Sequence, residues 1–530
     1  MAVVEAVFTP PAGRRAVLDR AHVGDVEGAF GTLSEAAVPP ARGIRARLAA
    51  LAAVLGPGLV IMAADNDAAG LGLLARAGEE HGTRLLWLLV ALAPVVFVTQ
   101  ELVVRLGAVT GAGQARLIIE RFGRRWGMFA LADLLALNAL TLVADFVAIA
   151  FALGYFGVSH LLAAPIGAVL LLGLMATGSF RGWERMMFVL LAATVAVVPL
   201  LLLVHAGGRH AEVAAHAPAS STLVLVLALV GTTVAPWQLF VRQSNVVDKR
   251  ITPRWLGYAR VDTAIGTVAA LLVAAGVLVA CAWAFGATPH AFSDAGAVAP
   301  ALRADLSPAA GAIFAVLLID AALLGAAAVA LSSSYSVGDA LGFRHSLHRG
   351  PREARTFHAV YAGFIALGAA AVLVPHVPLG ALVTGSQALA AILLPSATVL
   401  LLLLGNDAEI LGPWVNPAWL NALGTVVVSA MLGLSTAVVA HAVVPDVEVA
   451  VGAVTFAVLL VLGLAAVVVE HIRRPRPAMT RAERLSWTMP PLDRIAPPRR
   501  SRVRRLVLVG LRAQIVLAAC ALLARAVGVL

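Results

Sequence analysis

The stretch AADNDAAGLG, residues 63–72, decides the fold, because it places polar side chains inside a segment that otherwise has the composition of a membrane helix. GPGLVIM precedes it, and the apolar run LLWLLVALAPVVFV follows soon after it. A charge in the middle of a membrane helix costs on the order of 2.5–3.5 kcal/mol, so it commonly faces a cavity and has a function. Gly70 and Gly72 weaken the helix directly after Asp65 and Asp67. The stretch therefore predicts a helix that breaks around an acidic site.

The composition of the chain is that of an integral membrane protein. Of its 530 residues, 61% are hydrophobic and 13% are charged, whereas soluble domains average about 45–50% apolar and about 25% charged residues. The apolar stretch 505–530 is either a thirteenth span or an amphipathic helix on the membrane surface, and Arg512 and Arg525 favour the surface helix. The twelve predicted spans lie near 49–78, 84–106, 127–154, 160–178, 185–205, 221–245, 259–286, 308–334, 357–375, 379–405, 418–442 and 448–470.

The chain divides into a membrane domain and two flanking segments. The first 45 residues are mixed and polar, with two Pro-Pro pairs, and no cleavable signal peptide is expected there. The expected regions are a disordered cytoplasmic tail, 1–45; the membrane domain, 46–470, with inverted repeats about 49–205 and 221–405 and extra spans over 418–470; and an Arg-rich cytoplasmic segment with an apolar helix, 471–530.

Lysine and arginine cluster in loops on one side of the predicted membrane domain. The clusters fall at 116–125, 249–254 and 344–355, while the opposite loops carry few basic residues. By the positive-inside rule, these loops and the N-terminus are cytoplasmic. The net charge of +10 therefore reflects topology and contact with the lipid bilayer, not binding of nucleic acid. We expect a monomer in the inner (plasma) membrane of the cell.

A second interruption is predicted in VGTTVAPWQLFVRQS, residues 230–244. Pro236 cannot donate to the helix ladder and clashes with the preceding turn. Proline and glycine often cause only a kink in membrane helices, but a kink alone does not require the two carboxylates in span one. Breaks in spans one and six indicate a LeuT-like, all-α inverted repeat of five plus five helices, with a substrate site at the paired breaks. The sequence predicts a secondary transporter and not an enzyme, and it contains no GxxxxGK[ST] loop.

These motifs resemble the natural resistance-associated macrophage proteins, which are divalent-metal transporters, and in particular their bacterial relatives that carry magnesium. The resemblance runs from roughly Gly56 to Asn416. Its motifs are LSSSYSVGDALG at 331–342, SQALAAILLPS at 386–396 and GNDAEILGPWVN at 405–416, together with the family's Asp-Pro-Gly-Asn, which falls on Asp67, Ala68, Ala69 and Gly70, and its Met-Pro-His, which falls on Ala235, Pro236 and Trp237.

The differences from the family concern the metal ligands. Of the aspartate, asparagine and methionine side chains that the resemblance implies, only Asp67 remains, because Gly70 replaces the asparagine and Ala235 replaces the methionine. A thioether favours softer transition metals, whereas carboxylates, carbonyls and water suit magnesium and manganese. Magnesium keeps several waters when bound, and small side chains leave room for them. We expect a magnesium cargo first and a manganese cargo second, and no cofactor.

The resemblance makes Asp67 the expected direct ligand and implies the carbonyls of Ala64 and Ala235 as oxygen donors. Asp65 and Asn66 either bind the ion through water or cap the broken helix.

Two further polar residues have two interpretations each. Gln387, in span ten, either completes the shell of the occluded ion or makes an interhelical hydrogen bond. Thr233 either orients water or bonds its own backbone.

Proton coupling is expected to be lost. The resemblance implies two acids in span three and histidines in span six; here these positions hold Leu142 and Asp145, and Trp237 and Arg242. Arginine effectively never titrates. Arg242 needs a partner, for which Asp145 is the candidate, or it extends its charge to the interface. A membrane potential supplies ~2.3 kcal/mol per charge per 100 mV, which suffices to drive uncoupled uptake of a divalent ion.

Three alternative functions remain open from the sequence. The first is a proton-coupled transporter of manganese or iron. The second is a sodium-coupled transporter of amino acids or amines with the same fold, although acids at the first break would repel an anionic substrate. The third is a metal sensor that no longer transports.

Overall fold

The chain is almost entirely helical where its structure is described. The computed structural model describes residues 20–40, 42–207, 225–226, 228–231, 233, 235–285, 290, 292, 295–374, 395–443, 448–473, 479–495 and 508–513. The principal helices are α1 Ile44–Val54, α2 Pro57–Ala64, α3 Ala68–His81, α4 Leu86–Thr110, α5 Gln114–Phe122, α6 Arg124–Tyr155, α7 His160–Met175, α8 Phe180–Ala193, α9 Val197–Ala206, α10 Pro236–Asp248, α11 Leu256–Phe285, α12 Val298–Asp305, α13 Pro308–Leu341, α14 Arg355–Leu373, α15 Pro395–Gly405, α16 Ala408–Leu411, α17 Ala418–Val443, α18 Glu448–Arg473 and α19 Arg481–Ser486. Strands β1 Val26–Gly28 and β2 Gly31–Leu33 form one antiparallel hairpin.

Helices in the described ranges are long enough to cross a membrane several times. Eight are long and apolar enough to do so, and a ninth span results when α1 and α2, bent by 48° relative to each other, are taken together. The shorter apolar helices α7 and α15 lie in the predicted spans four and ten. The total of twelve spans stays a prediction, because parts of spans six and ten lie outside the described residues.

The break predicted in the first span is confirmed. Helix α2 ends at Ala64 and α3 begins at Ala68, so residues 65–67 are left outside both helices. Asp67 has an extended backbone, with φ −64° and ψ 178°, and is the N-cap of α3. The polar side chains thus lie at the interruption itself, where backbone groups of both helix ends are free to act as ligands.

The break predicted in span six is confirmed as well. Residues 228–231 are helical, the backbone of Ala235 is extended, with φ −79° and ψ 144°, and α10 begins at Pro236. Proline is favoured at the first position of a helix, because the N–H that it lacks would have no partner there. The same residue that interrupts span six therefore starts its second half.

The two broken spans pack against a shared set of long helices. Helix α11 contacts both halves of span one, α2 and α3, and also α4; α13 packs along α6 and against α10. Both α11 and α13 are rich in alanine and glycine, which allow membrane helices to approach closely. These contacts hold the two breaks next to α6 and α13 inside the protein.

The prediction of a disordered tail over residues 1–45 is wrong for its second part. Residues 20–22 form a 3-10 turn, the hairpin follows, and α1 begins at Ile44. The hairpin is ordered because Val26 and Ala29 are buried, at 2% and 3% exposure. Residues 1–19 lie outside the described part of the chain.

The C-terminal apolar stretch is described only over residues 508–513, which are helical. Leu508 and Leu511 are buried, and the guanidinium of Arg512 lies 3.9 Å from the ring centroid of Trp126 at the start of α6. The choice between a span and a surface helix over 505–530 stays a prediction.

Candidate functional site

The two broken spans are joined by a hydrogen bond between polar side chains. The amide of Gln238, two residues into α10, donates from Nε2 to Oδ1 of Asp65 at the first break. Gln100 of α4 donates in turn to Oε1 of Gln238 over 3.3 Å. Gln238 is fully buried. Its proximity to Asp65 was not expected from the sequence, although a buried amide two positions after a helix-breaking proline is a signal that could have indicated it.

Asp67 is the residue that caps the second half of span one. Its Oδ1 accepts a hydrogen bond of 2.8 Å from the backbone N–H of Gly70. The sequence assigned capping to Asp65 or Asn66 as one of two roles, but neither is the N-cap of α3. Asp65 accepts from Gln238 instead, and Nδ2 of Asn66 donates to the carbonyl of Ala270 over 2.9 Å.

A small cavity lies beside the first break. Asp65, Asn66, Gly70 and Thr233 contribute to its lining, and its volume is about 30 Å³. This volume is enough to hold water next to polar groups. Of the two interpretations of Thr233, the backbone bond is the one observed, because its Oγ1 donates to the carbonyl of Leu229 over 2.5 Å.

Asp145 of α6 is an unpaired carboxylate next to Asp67. Its side chain is fully buried and forms no ion pair within the described residues, and the backbone N–H of Ala68 is the hydrogen-bond donor beside it. A methyl group added at Gly325 of α13 would lie 2.9 Å from Cβ of Asp67 and 3.0 Å from Oδ2 of Asp145. Both carboxylates therefore lie against one glycine, and a larger residue there would displace them.

Other oxygen atoms have to complete any cation site here. Within the described residues, no group of three or more histidine, cysteine or acidic side chains is arranged to hold a metal ion. Ala64 ends α2, and the carbonyl of Ala235 accepts from the N–H of Gln238 over 3.1 Å, which leaves it a second lone pair. Gln387 lies outside the described residues, so its role stays a prediction.

Trp237 takes the place of a family histidine and packs in the core. It is 1% exposed, and its carbonyl accepts a hydrogen bond of 3.0 Å from Oγ of Ser332 in α13. An indole has no proton that titrates near neutral pH. Trp237 therefore fixes α10 against α13 and does not supply an acid or a base.

The expected pairing of Arg242 with Asp145 is wrong. Arg242 forms an ion pair of 3.1 Å with Asp262 of α11. Six residues separate Arg242 from the start of α10, a rise of about 9 Å along the helix, so its charge lies well away from the break. The alternative, that it reaches the membrane interface, is also wrong, because its side chain is 1% exposed.

Asp262 connects this arginine to the first half of span one. Its carboxylate accepts the backbone N–H groups of Gly56, Gly58 and Leu59 over 3.1, 2.6 and 3.2 Å. These are the free donors at the start of α2, which need an acceptor when they are buried. Asp262 therefore fixes the beginning of the half-helix whose other end carries Asp65.

A second buried ion pair lies close to the first. Nζ of Lys249, directly after α10, lies 2.6 Å from Oε1 of Glu184 in α8 and donates to the carbonyl of Leu55 over 2.8 Å. All of these groups are withdrawn from solvent. We call the two pairs, Arg242 with Asp262 and Lys249 with Glu184, the ion-pair latch.

Further buried polar groups surround the latch. Asp248 accepts from the hydroxyls of Tyr335 and Ser346, and Nε2 of His345 lies 3.0 Å from Oδ1 of Asp339. Burial disfavours a charged imidazole, but the charge and hydrogen bond of Asp339, the carbonyl of Phe343 and the charge of Asp248 together outweigh it and raise the pKa of His345 above its ordinary value. This end of the molecule is thus held by charges that neutralise each other, in contrast to the unpaired Asp145.

Comparison with known proteins agrees with this arrangement. A family model described as natural resistance-associated macrophage protein-like matches residues 58–441. The divalent metal cation transporter MntH of Burkholderia ambifaria is 28% identical over 57% of this chain and 70% of its own length. MntH 1 of Pseudomonas aeruginosa is 27% identical over 70% of this chain and 88% of its own length.

Solved structures share the fold at low sequence identity. A manganese transporter of Eremococcus coleocola superposes with a TM-score of 0.59 at 19% identity, over 82% of this chain and 98% of its own. The nucleobase-cation symporter Mhp1 in a closed conformation gives a TM-score of 0.51 at 14% identity, over 91% and 100%. The prediction of a LeuT-like fold is confirmed.

We expect loss of the Arg242 charge to destabilise the protein strongly. Arg242→Met leaves the buried carboxylate of Asp262 unpaired, which costs about 3–5 kcal/mol. Adding Asp262→Asn removes the unpaired charge and retains an acceptor for α2, so the double variant should unfold at a higher temperature than Arg242→Met. The measurement is the midpoint of thermal unfolding in detergent.

Arg260→Met is the control, since that arginine is half exposed beside Glu101 and should change the midpoint little. Equal midpoints for the single and double variants would contradict the charge argument.

Proposed function

The chain belongs to the natural resistance-associated macrophage protein family of divalent metal transporters, and we propose from this that it imports magnesium, or manganese as a second choice, by alternating access. The observation that carries the proposal is the chemistry of the first break, which offers carboxylates, a side-chain amide and backbone carbonyls together with room for water. Hard, partly hydrated cations prefer this set of oxygen donors.

The location of the Met62 sulfur supports a hard cation as the transported ion. Met62 precedes the first break by two residues, but its Sδ lies 3.9 Å from Oγ1 of Thr267 in the interface with α11. Ala235 brings no sulfur to the second break. The donors around Asp67 are therefore oxygen atoms, which give a site little preference for soft transition metals.

Each residue of the site has a proposed role. Asp67 binds the ion directly through the carboxylate oxygen that does not cap α3. Asp65 and Asn66 act through water held in the adjacent cavity, and Thr233 and Gly70 shape that cavity. The carbonyls of Ala64 and Ala235 supply oxygen donors, and Gln387 completes the shell; Trp237 and Arg242 support α10 from the core and from the ion-pair latch.

Asp145 is proposed to balance the charge of the ion. The carboxylates of Asp67 and Asp145 lie together against Gly325 and supply two of the negative charges at the first break that can offset a divalent cation. Two unit charges 4 Å apart interact by about 4 kcal/mol at an effective dielectric constant of 20. An unpaired carboxylate at this depth is costly without a cation and favourable with one.

The driving force is proposed to be the membrane potential. Arg242 is neutralised in the ion-pair latch, and Trp237 is a core residue, so the positions of the family histidines carry no group that titrates near neutral pH. The N-terminus and the basic loops are proposed to lie in the cytoplasm of a cell with the protein in its inner membrane. An inward-negative potential then draws a divalent ion through the site.

A second candidate function is proton-coupled transport of manganese. The observation that favours it is Asp145, because an unpaired buried carboxylate next to Asp67 is able to carry a proton. The two functions differ in the pH inside proteoliposomes during metal influx. We expect no acidification beyond that of empty liposomes; acidification in proportion to metal influx would favour proton coupling.

We expect manganese influx into proteoliposomes that a 100-fold excess of magnesium reduces more than tenfold. Asp67→Ala should lower the influx at least tenfold, because it removes the direct ligand. Glu353→Gln, which changes an exposed carboxylate, is the control and should transport normally. Influx that is indifferent to magnesium would favour a transition-metal transporter, and no influx in the wild-type protein would favour a sensor or an amine transporter.

We expect Asp145→Asn to raise the KM for manganese influx tenfold or more, because it removes one of the carboxylate charges that offset the ion while preserving the shape of the side chain. The matched control is Asp133→Asn on the same helix. Asp133 lies about three turns from Asp145, and its carboxylate accepts a hydrogen bond from the hydroxyl of Ser396. That variant should keep its KM within about twofold. Equal effects of the two substitutions would contradict a specific role of Asp145.

A further inference from the structure

The 3-10 turn and hairpin at residues 20–33, here called the N-terminal hairpin, lie directly over the Lys249–Glu184 pair of the ion-pair latch. The backbone N–H of Ala29 donates to Oε2 of Glu184 over 2.6 Å, while the other oxygen of Glu184 binds Lys249. A methyl group added at Gly28 would lie 2.1 Å from the carbonyl of Ala53 and 3.1 Å from Nζ of Lys249. Only glycine allows this close approach, so the hairpin seals the Lys249–Glu184 pair against the end of α1.

Contacts with α8 hold one side of the N-terminal hairpin. Nε of Arg185 donates to the carbonyl of Ala29 over 3.0 Å, and Arg181 donates to the hydroxyl of Thr32. The rings of Phe30 and Phe188 lie 4.7 Å apart between centroids. This side of the hairpin is therefore attached to span five, in the first of the two repeats.

The other side of the N-terminal hairpin is attached to the second repeat. Nε of Arg250, two residues after α10, donates to the carbonyl of Ala21 over 2.8 Å, and its Nη1 donates to that of Asp25 over 3.0 Å. Nε2 of His22 lies 3.0 Å from the carbonyl of His345, in the segment that follows α13. A single short segment thus connects spans one and five to spans six and eight.

These connections conflict with movement between the repeats. In transporters of this fold, alternating access moves one group of helices against the other around a fixed site. Movement of α2 away from α10 and α11 has to break the hydrogen bonds that Asp262 and Lys249 make at its N-terminal end. Movement of α8 away from α10 has to break the Lys249–Glu184 pair and separate the attachments of the hairpin. The attachments are hydrogen bonds, the Phe30–Phe188 ring pair and two charged contacts, Arg250 with Glu27 and His22 with Asp248. Phe30 is 58% exposed, so the attachment to α8 is the one that opens most easily.

We propose that the N-terminal hairpin is a clamp that keeps this end of the transporter closed and has to detach from α8 before the ion leaves. The proposal rests on the transport function proposed above. Two-stranded hairpins are marginally stable on their own, so the detached segment loses its structure, and its reattachment favours the closed state. The alternative is a permanent brace that moves with the transporter and never detaches.

The first test bridges the hairpin to α8. Phe30→Cys and Phe188→Cys are introduced together in a Cys281→Ala, Cys520→Ala background and linked by a short cleavable bis-thiosulfonate. We expect manganese influx to fall at least tenfold on bridging and to recover on reduction, while each single-cysteine variant is unaffected by the reagent. Fully bridged protein that transports at the unbridged rate would overturn the clamp.

The second test does not require ion flux, so it separates failure of the clamp from failure of the transport proposal. Thr267→Cys, in the same cysteine-free background, places a thiol between α11 and α2. A water-soluble thiol reagent should modify it at least fivefold faster after deletion of residues 1–35. Arg250→Met, which removes the contacts with Ala21, Asp25 and Glu27 without shortening the chain, should also accelerate modification, with an unchanged midpoint of thermal unfolding. Equal rates in the full-length protein and both variants would overturn the proposal.

Discussion

The structure depends on where buried carboxylates find partners. A membrane interior offers no water, so each carboxylate needs a cation, a hydrogen-bond donor or a ligand. Asp262 is paired with Arg242 and accepts three N–H groups at the start of α2, whereas Asp145 has no cationic partner within the described residues. Asp262 fixes the beginning of the half-helix α2, and Asp145 lies near the break at its other end. This contrast distinguishes the part of the protein that holds its shape from the part that is proposed to receive an ion.

In both halves of span one, a carboxylate accepts hydrogen bonds from the N–H groups at the start of the helix. Asp67 caps α3 through Gly70, and Asp262 caps α2 from another helix. A helix broken in a membrane exposes N–H groups that must be satisfied, and a carboxylate satisfies them while the positive end of the helix dipole favours its charge. Breaking the span thus creates the need for acids, and the acids that meet this need also create the electrostatic environment of a cation site.

The breaks and the family could be predicted from the sequence, because their signals are local: acids in an apolar run, and a proline after Gly231 and Thr233. The resemblance then assigned Asp67 correctly to the first break. Long-range partners could not be predicted. Nothing near Arg242 indicates Asp262, twenty residues later on another helix, and Gln238 becomes informative only once α10 is packed against Asp65. The N-terminal hairpin escaped notice because its strands have three residues each and bury only small or branched side chains, which leaves no periodic pattern to read.

The free energy that the membrane potential supplies to a divalent ion sets a lower limit on the free energy needed to open the closed end of the protein. A divalent ion gains about 4.6 kcal/mol from a 100 mV potential, since each charge gains ~2.3 kcal/mol. Separating one buried ion pair costs a similar amount, about 3–5 kcal/mol, so one pair alone would barely resist the force acting on a bound ion. A second buried pair adds to that resistance, and the N-terminal hairpin covers it through the bond from Ala29 to Glu184. For the potential-driven uptake proposed above, these fixed contacts are what holds the ion until the helices move.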